Sequence, residues 1–251
     1  MADGIVGEKT WIALMNAKIT SYPAGLVLKS KGTGYKILEK DRYINVVRID
    51  RSALKSINVL NSKTAFETMT SMYSRLNPKP TFMINGGLYG MANGVSIHLF
   101  VDEGKQVASG VFSKFALIVN KDGSYKMDFY KPSANDKDVI GSSPSLVIDG
   151  KVNIDLTGLV NDKAFVNNLH PRSALGMDDK YFYIVAIDGR RTWAKGMSIN
   201  TLAKFMLDIG CKYAFNLDGG GSTRIQGKDG KPINEPLENR AIDNSICFYL
   251  K

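Results

Sequence analysis

Asn216-Leu217-Asp218-Gly219-Gly220-Gly221-Ser222-Thr223 is the segment of this 251-residue chain richest in groups that do chemistry. Three glycines after a buried strand let the backbone take positive φ and come close to a ligand. Successive N–H groups in such a bend form a nest suited to phosphate, and Ser222 and Thr223 add hydroxyls. A plain tight turn is the competing reading. The segment is neither a nucleoside-triphosphate loop, since no Gly-Lys-Ser/Thr follows, nor a dinucleotide fingerprint. Asn85-Gly86-Gly87 repeats the grammar of an apolar strand, a polar residue and glycines, and with Asp188-Gly189-Arg190 the loops read as one shared rim. His170-Pro171-Arg172 adds a guanidinium whose planar fork matches phosphate in a two-pronged contact. An ion pair with Asp188 or Asp218 is the structural alternative for Arg172. Packing at a strand edge serves His170 as well as catalysis does, and His98, inside an apolar strand pattern, reads as structural. With so few histidines, a Ser-His-Asp triad or a histidine-rich metal centre has little support.

The elements that must hold these residues follow from periodicity. Tyr181 to Ile187 is almost continuously apolar, the mark of a strand covered on both faces. Ser198 caps a helix whose Ile199, Leu202, Met206 and Ile209 share one face, and Gly210 ends it. Tyr213 to Leu217 is a second buried strand. Strand, crossover helix and strand make a βαβ unit over 181–218, so the two strands should run parallel and bring Asp188 and Asp218 to one edge. Tyr43 to Asp50, Thr81 to Asn85, Val95 to Asp102, Phe112 to Asn120 and Tyr125 to Tyr130 read as further strands, and 146–152 and 173–188 as hairpins. Thr64 and Glu67 form a capping box for a helix over 64–77, stopped by Pro78 and Pro80. The expected fold class is α+β: a mixed, largely antiparallel twisted sheet packed with helices and containing that one βαβ unit.

Composition is that of an ordinary globular chain, 44% hydrophobic and 23% charged, with no apolar run long enough to cross a bilayer. No signal peptide is visible. The net charge of +9 favours anionic partners, but the lysines are scattered rather than blocked, so no specific nucleic-acid partner is expected. Cys211 and Cys247 lie far apart without metal-ligand spacing and read as small core residues, with a disulfide left open. Asp3-Gly-Ile-Val-Gly-Glu-Lys-Thr-Trp-Ile-Ala-Leu14 resembles the closing turn and helix of a small peptidoglycan-binding module. Residues 1–17 are therefore a remnant of such a module or an N-terminal extension, and 18–251 the functional domain. The remnant points to the cell envelope or a phage particle, with peptidoglycan association through a longer N-terminus.

Asn85-Gly-Gly-Leu-Tyr89, Ser143-Pro-Ser-Leu146, His170-Pro-Arg-Ser-Ala-Leu-Gly176, Asp188-Gly-Arg190, Gly196-Met-Ser-Ile-Asn-Thr-Leu-Ala203, the 216–223 segment and Asn239-Arg240 occur in a characteristic order. From about Thr81 to the C-terminus this set resembles the phosphodiester glycosidase family. Leu88-Tyr89 departs from it, since the family usually has two aromatics there, a change that reshapes the sugar pocket. The resemblance implies cleavage of a sugar-1-phosphate diester in a phosphorylated glycan. A two-metal centre wants more His and Asp than the chain shows, so no metal or cofactor is expected. On the resemblance, Arg172 and Gly219, Gly220 and Gly221 hold phosphate, with Ser222 and Thr223 beside them. Asn85, with Gly86 and Gly87, orients substrate. Asp218 or Asp188 is the nucleophile or general base, and the other positions Arg172 or a sugar hydroxyl. His170, Asn234 and Arg240 line the pocket. A non-catalytic module that binds anionic glycan, and a phosphodiesterase acting on nucleotides, are the alternatives; neither requires free sugar to appear.

Overall fold

The computed structural model describes residues 25–41, 43–110, 114–156 and 163–251; the stretch 3–14 lies outside them. The strand Tyr181–Ile187 sets the architecture. Its residues alternate between two cores, Phe182, Ile184 and Ala186 in one and Tyr183, Val185 and Ile187 in the other. Successive side chains of a strand point to opposite faces, so a strand covered on both has to be apolar throughout. Its sheet has eight strands, in the order Val27–Gly32, Tyr35–Lys40, Ile44–Asp50, Tyr181–Ile187, Arg172–Met177, Tyr213–Asn216, Ser145–Ile148 and Lys151–Val152.

One face of this sheet carries the helices. Ile199–Asp208 starts at Ser198, whose hydroxyl accepts the Thr201 N–H, and packs Ile199, Leu202, Ala203 and Met206 against Val147, Ala174 and Val185. The short helix Lys163–Asn167 adds Val166 to the same core. The other face meets two smaller sheets. Five strands run Tyr125–Phe129, Phe115–Asn120, Asp136–Gly141, Leu99–Asp102 and Lys105–Ser109, and four run Ile225–Gly227, Phe82–Asn85, Asn244–Leu250 and Leu54–Asn61. Phe82, Phe100, Phe115, Phe182, Phe215 and Phe248 fill the core among the three sheets. Ala241–Ile242 pairs with Glu67–Thr68 as a small separate ribbon.

The largely antiparallel, sheet-rich architecture agrees with the sequence; no sheet among the described residues is mixed, and the two strands of the expected βαβ unit are not neighbours. Every strand pairing among the described residues is antiparallel. Tyr181–Ile187 and Tyr213–Asn216 each pair with Arg172–Met177, which lies between them. They run in the same direction without being hydrogen-bonded neighbours. The hairpin at Asp178-Asp179 makes 172–177 the local partner of 181–187, and closing so short a loop costs little entropy. The second strand is left to the far edge of 172–177.

The helix expected over 64–77 is Met69–Arg75, capped by Thr68 rather than Thr64. Glu67 is drawn instead to Arg75, whose Nε and Nη2 donate to it at 3.0 and 2.9 Å. Both cysteines are free thiols in different cores, Cys211 under the long helix and Cys247 beside Met72. His98 is fully buried, and burial pushes its imidazole down to about 4. No helix among the described residues is long and apolar enough to cross a membrane.

Candidate active site

Asn216 ends its strand in a tight harness. Its N–H and Nδ2 donate to the carbonyls of Pro144 and Ser143 at 2.9 and 2.8 Å, which is how the Ser143–Leu146 motif is used. Leu217 donates to Ser173 O, and Asp218 N to Gly86 O, before the chain turns outward. Asp218 then opens onto a cleft of about 400 Å³ lined by Tyr89, His170, Arg172, Arg190, Gly219, Gly220 and Arg240, with Phe165, Leu88 and Met91 completing the walls. Among the described lining residues Asp218 is the sole carboxylate, facing three guanidinium groups.

Burial in this wall raises the Asp218 carboxyl from 3.8 to about 6, against the downward pull of Ser222, the Gly219 N–H and Arg240. The Gly219 N–H donates to Oδ1 at 2.9 Å and so fixes the plane of the group. Ser222 lies between Asp218 and Tyr89 and acts on both, without full hydrogen-bond geometry to either. The Tyr89 hydroxyl donates to Ala241 O at 3.0 Å.

The cations are held differently. Arg172, 1% exposed, stacks 4.8 Å from the centre of the Phe165 ring and donates to the carbonyls of Met197, Phe165 and Asn168. Arg190 is exposed, at a φ of 58°. It reaches His170 Nδ1 at 3.3 Å and lies over Gly220, where a Cβ would come within 3.4 Å of its Nη1. Arg240 is steadied by Glu238, and the pair presses on Gly221, where a Cβ would sit 2.0 Å from Glu238 Oε1.

The remaining expected site residues lie behind the cleft. Asn85 is fully buried and ties three segments: Nδ2 donates to Asp218 O at 2.7 Å, while Oδ1 accepts from Ser173 Oγ at 2.6 Å and Arg224 N at 3.1 Å. Gly86 and Gly87 give their N–H groups to Asn244, through its carbonyl and Oδ1 respectively. Asp188 is 2% exposed, and both oxygens are engaged, by Asn234 Nδ2 at 2.8 Å and the Glu235 N–H at 3.0 Å. Burial raises its carboxyl despite these donors. Asn234 also takes the Ile225 N–H and donates to Thr223 O, so Asp188 and Asn234 brace the chain leaving the glycine loop.

Most amides of the 219–223 loop are already engaged: Gly219 donates to Asp218 Oδ1 and Gly220 to Pro171 O, while the 3-10 turn takes those of Ser222 and Thr223 to Gly219 O and Gly220 O. The hydroxyls of Ser222 and Thr223 are buried. Positive charge around the cleft comes from side chains instead. Arg190 and Tyr89 also line the cleft, and an arginine after Asp-Gly at a strand end is the sequence signal for the first. Among the described residues, no three His, Cys, Asp or Glu side chains gather into a metal-ligating group.

A family model described as phosphodiester glycosidase matches residues 79–249. Over 89 residues the chain is 35% identical to the SPbeta prophage-derived uncharacterized protein YomE of Bacillus subtilis, a match covering 34% of this chain and only 14% of that one. The zebrafish N-acetylglucosamine-1-phosphodiester alpha-N-acetylglucosaminidase catalytic domain, auto-inhibited by its pro-peptide, superimposes with a TM-score of 0.70 at 19% identity, covering 90% of this chain and 82% of that one. A hypothetical protein from Synechocystis does so with a TM-score of 0.66 at 13% identity, over 90% of this chain and 61% of the other. At these identities the structural likeness is one of fold.

Proposed function

The chain belongs to the phosphodiester glycosidase family, and we propose that it hydrolyses a sugar-1-phosphate diester in the cleft at Asp218. The observation that carries this reading is one cleft lined by Arg172, Arg190 and Arg240 together with a single carboxylate, Asp218. Phosphate seated among these side chains is a good leaving group, so no strong general acid is needed. Its developing charge is met by fixed cations in a partly desolvated wall, where they act strongly. Asp218, held by the Gly219 N–H, supplies the carboxylate at the anomeric carbon. The bond from that carbon to the phosphate oxygen breaks, the electron pair leaves with the phosphate, and water supplies the new hydroxyl and gives its other proton to Asp218.

Asp188, Asn234 and Asn85 are positioning residues in this reading. They set the loop that carries Asp218 and do not line the cleft. The net charge of +9 and a prophage-derived relative support an envelope glycan of bacteria, or one targeted by phage, as substrate. Residues 18–251 form the glycosidase domain, and 1–17 a wall-binding remnant or an extension.

The test is incubation with a panel of sugar-1-phosphodiesters in water enriched in heavy oxygen. Free sugar carrying the label should appear together with a phosphate monoester. Label in the phosphate would remove Asp218 from the carbon, and release of nucleoside monophosphate, or glycan binding without turnover, would replace the whole reading.

A further inference from the structure

On the five-stranded sheet a separate cavity of about 300 Å³ lies among Val101, Gly104, Gln106, Tyr130, Ser133 and Asp136. The strand Asp136–Gly141 runs from it to the first glycine loop. Gly141 O lies 2.9 Å from the place a Cβ on Gly87 would take. Asp136 stands at the other end, roughly 16 Å away at the rise of a strand. The ladder slips by one residue between Asp136 and Asp138, and such a bulge re-aims a side chain. Asp138 reaches the Val59 N–H in the core, whereas Asp136 lines the cavity. Asp136 is only 6% exposed, and a buried carboxylate needs donors. Two are present, the Tyr130 hydroxyl and the Ser133 N–H, each at 2.8 Å and both on Oδ2. Among the described residues no donor reaches Oδ1, and no cation forms an ion pair with the group.

We propose that this cavity is a glycan-holding site remote from the cleft, which seats an uncharged pyranose with its hydroxyls on Asp136 Oδ1. Charge selects the ligand class. Asp136 is the sole carboxylate among the described lining residues, and no guanidinium or ammonium lines the cavity beside it, so phosphate is repelled. An ammonium ligand would meet Lys121, whose Nζ donates to Ala134 O at 2.8 Å and lies 3.7 Å from the Cβ position of Gly104. Ala134 and Gly104 both belong to the wall. A hydroxyl suits both neighbours, because it can donate to the carboxylate and accept from a cation or amide. Gln106 and Ser133 add an amide and a hydroxyl, while Val101 and Pro132 offer apolar surface to the C–H face of a ring. The volume is at the small end of ligand sites and suits a single ring. None of this depends on Asp218 being catalytic.

The experiment titrates the isotope-labelled full chain with chitotriose and with mannotriose, following amide shifts by NMR in the wild type, Gln106→Ala and Asp136→Asn. Saturable shifts at 101–106 and 130–136 are expected with at least one of the two sugars. Gln106→Ala, at an exposed position, should weaken that binding roughly two- to tenfold, as for the loss of one hydrogen bond. Asp136→Asn should weaken it further, since a charged acceptor is lost. Shifts confined to the Asp218 cleft, or no shifts with either sugar, overturn the proposal. So do cavity shifts that Gln106→Ala and Asp136→Asn leave unchanged, and a stronger response at 130–136 to ethylammonium or inorganic phosphate than to the sugars. Should Asp136→Asn fail to fold, Gln106→Ala decides alone.

Discussion

Gly86 and Gly220 both lie in glycine loops that follow a buried strand and a polar residue, yet the fold uses the two loops differently. Gly86 is packed inward: its N–H is given to Asn244, and a Cβ there would lie 1.7 Å from Asn244 Oδ1. Gly220 faces the cleft at a φ of +60°, and a Cβ would meet only the guanidinium end of Arg190, at 3.4 Å. The first loop holds the second, through Gly86 O on the Asp218 N–H and Asn85 Nδ2 on the Asp218 carbonyl. Glycines after a strand mark a close approach of backbone, and what approaches is in one case protein and in the other open space for substrate.

The sharpest test of this contrast lies at the cleft loop. Asp218→Asn should reduce turnover by about 10²–10⁴-fold, the range for a group that takes part in proton transfer, while glycan binding persists. In the wild type, kcat/KM should fall as pH drops below about 6, where Asp218 takes up its proton. Stability moves the other way. The folded carboxyl titrates at about 6 and the unfolded one near 3.8, so ionisation weighs against the fold. That cost is absent below about pH 4, grows between 4 and 6, and is complete above 6. Asp218→Asn should therefore be more stable than the wild type at pH 7, by about 1–2 kcal/mol after allowance for solvent at the cleft, and no more stable at pH 4. Equal stability at both would show that the carboxylate bears no such cost.

Next comes Gly86→Ala. Overpacking against Asn244 should remove about 1–3 kcal/mol in denaturant melts, and activity per folded molecule should fall as Asp218 shifts. A neutral result would mean that the two loops are not coupled. The smallest effect belongs to Gly220→Ala, which keeps its packing but places a Cβ at positive φ, costing about 1–2 kcal/mol with the main change in KM. If Gly220→Ala destabilises more than Gly86→Ala, the assignment of supporting and substrate-facing loops is reversed.

Local pattern made much of this legible. The helix from Ser198, the strands 181–187 and 213–216, and the hairpin at Asp149-Gly150 all follow from periodicity and caps. The position of 172–177 between the two strands did not, because strand order is decided by pairings distant in sequence. The capping box at Thr64 and Glu67 misled because Glu67 had a stronger partner in Arg75, eight residues on. At the site, Asp218, Arg172, His170 and Arg240 were identified from motif residues and do line one cleft. Asn244 was not identified. A lone asparagine at a strand start has no local signature, and its importance comes only from meeting Gly86 and Gly87 in space.

The strand Asn244–Leu250 lies between Phe82–Asn85 and Leu54–Asn61. During synthesis, which proceeds at about 5–20 residues per second, the 82–85 segment must wait for more than half the chain before its neighbour emerges from the ribosome. Until then Asn244 cannot pin the first glycine loop, and Asp218 has no settled place. A chain cut before Asn244 would thus keep most of its residues and lose the strand that pins the first glycine loop.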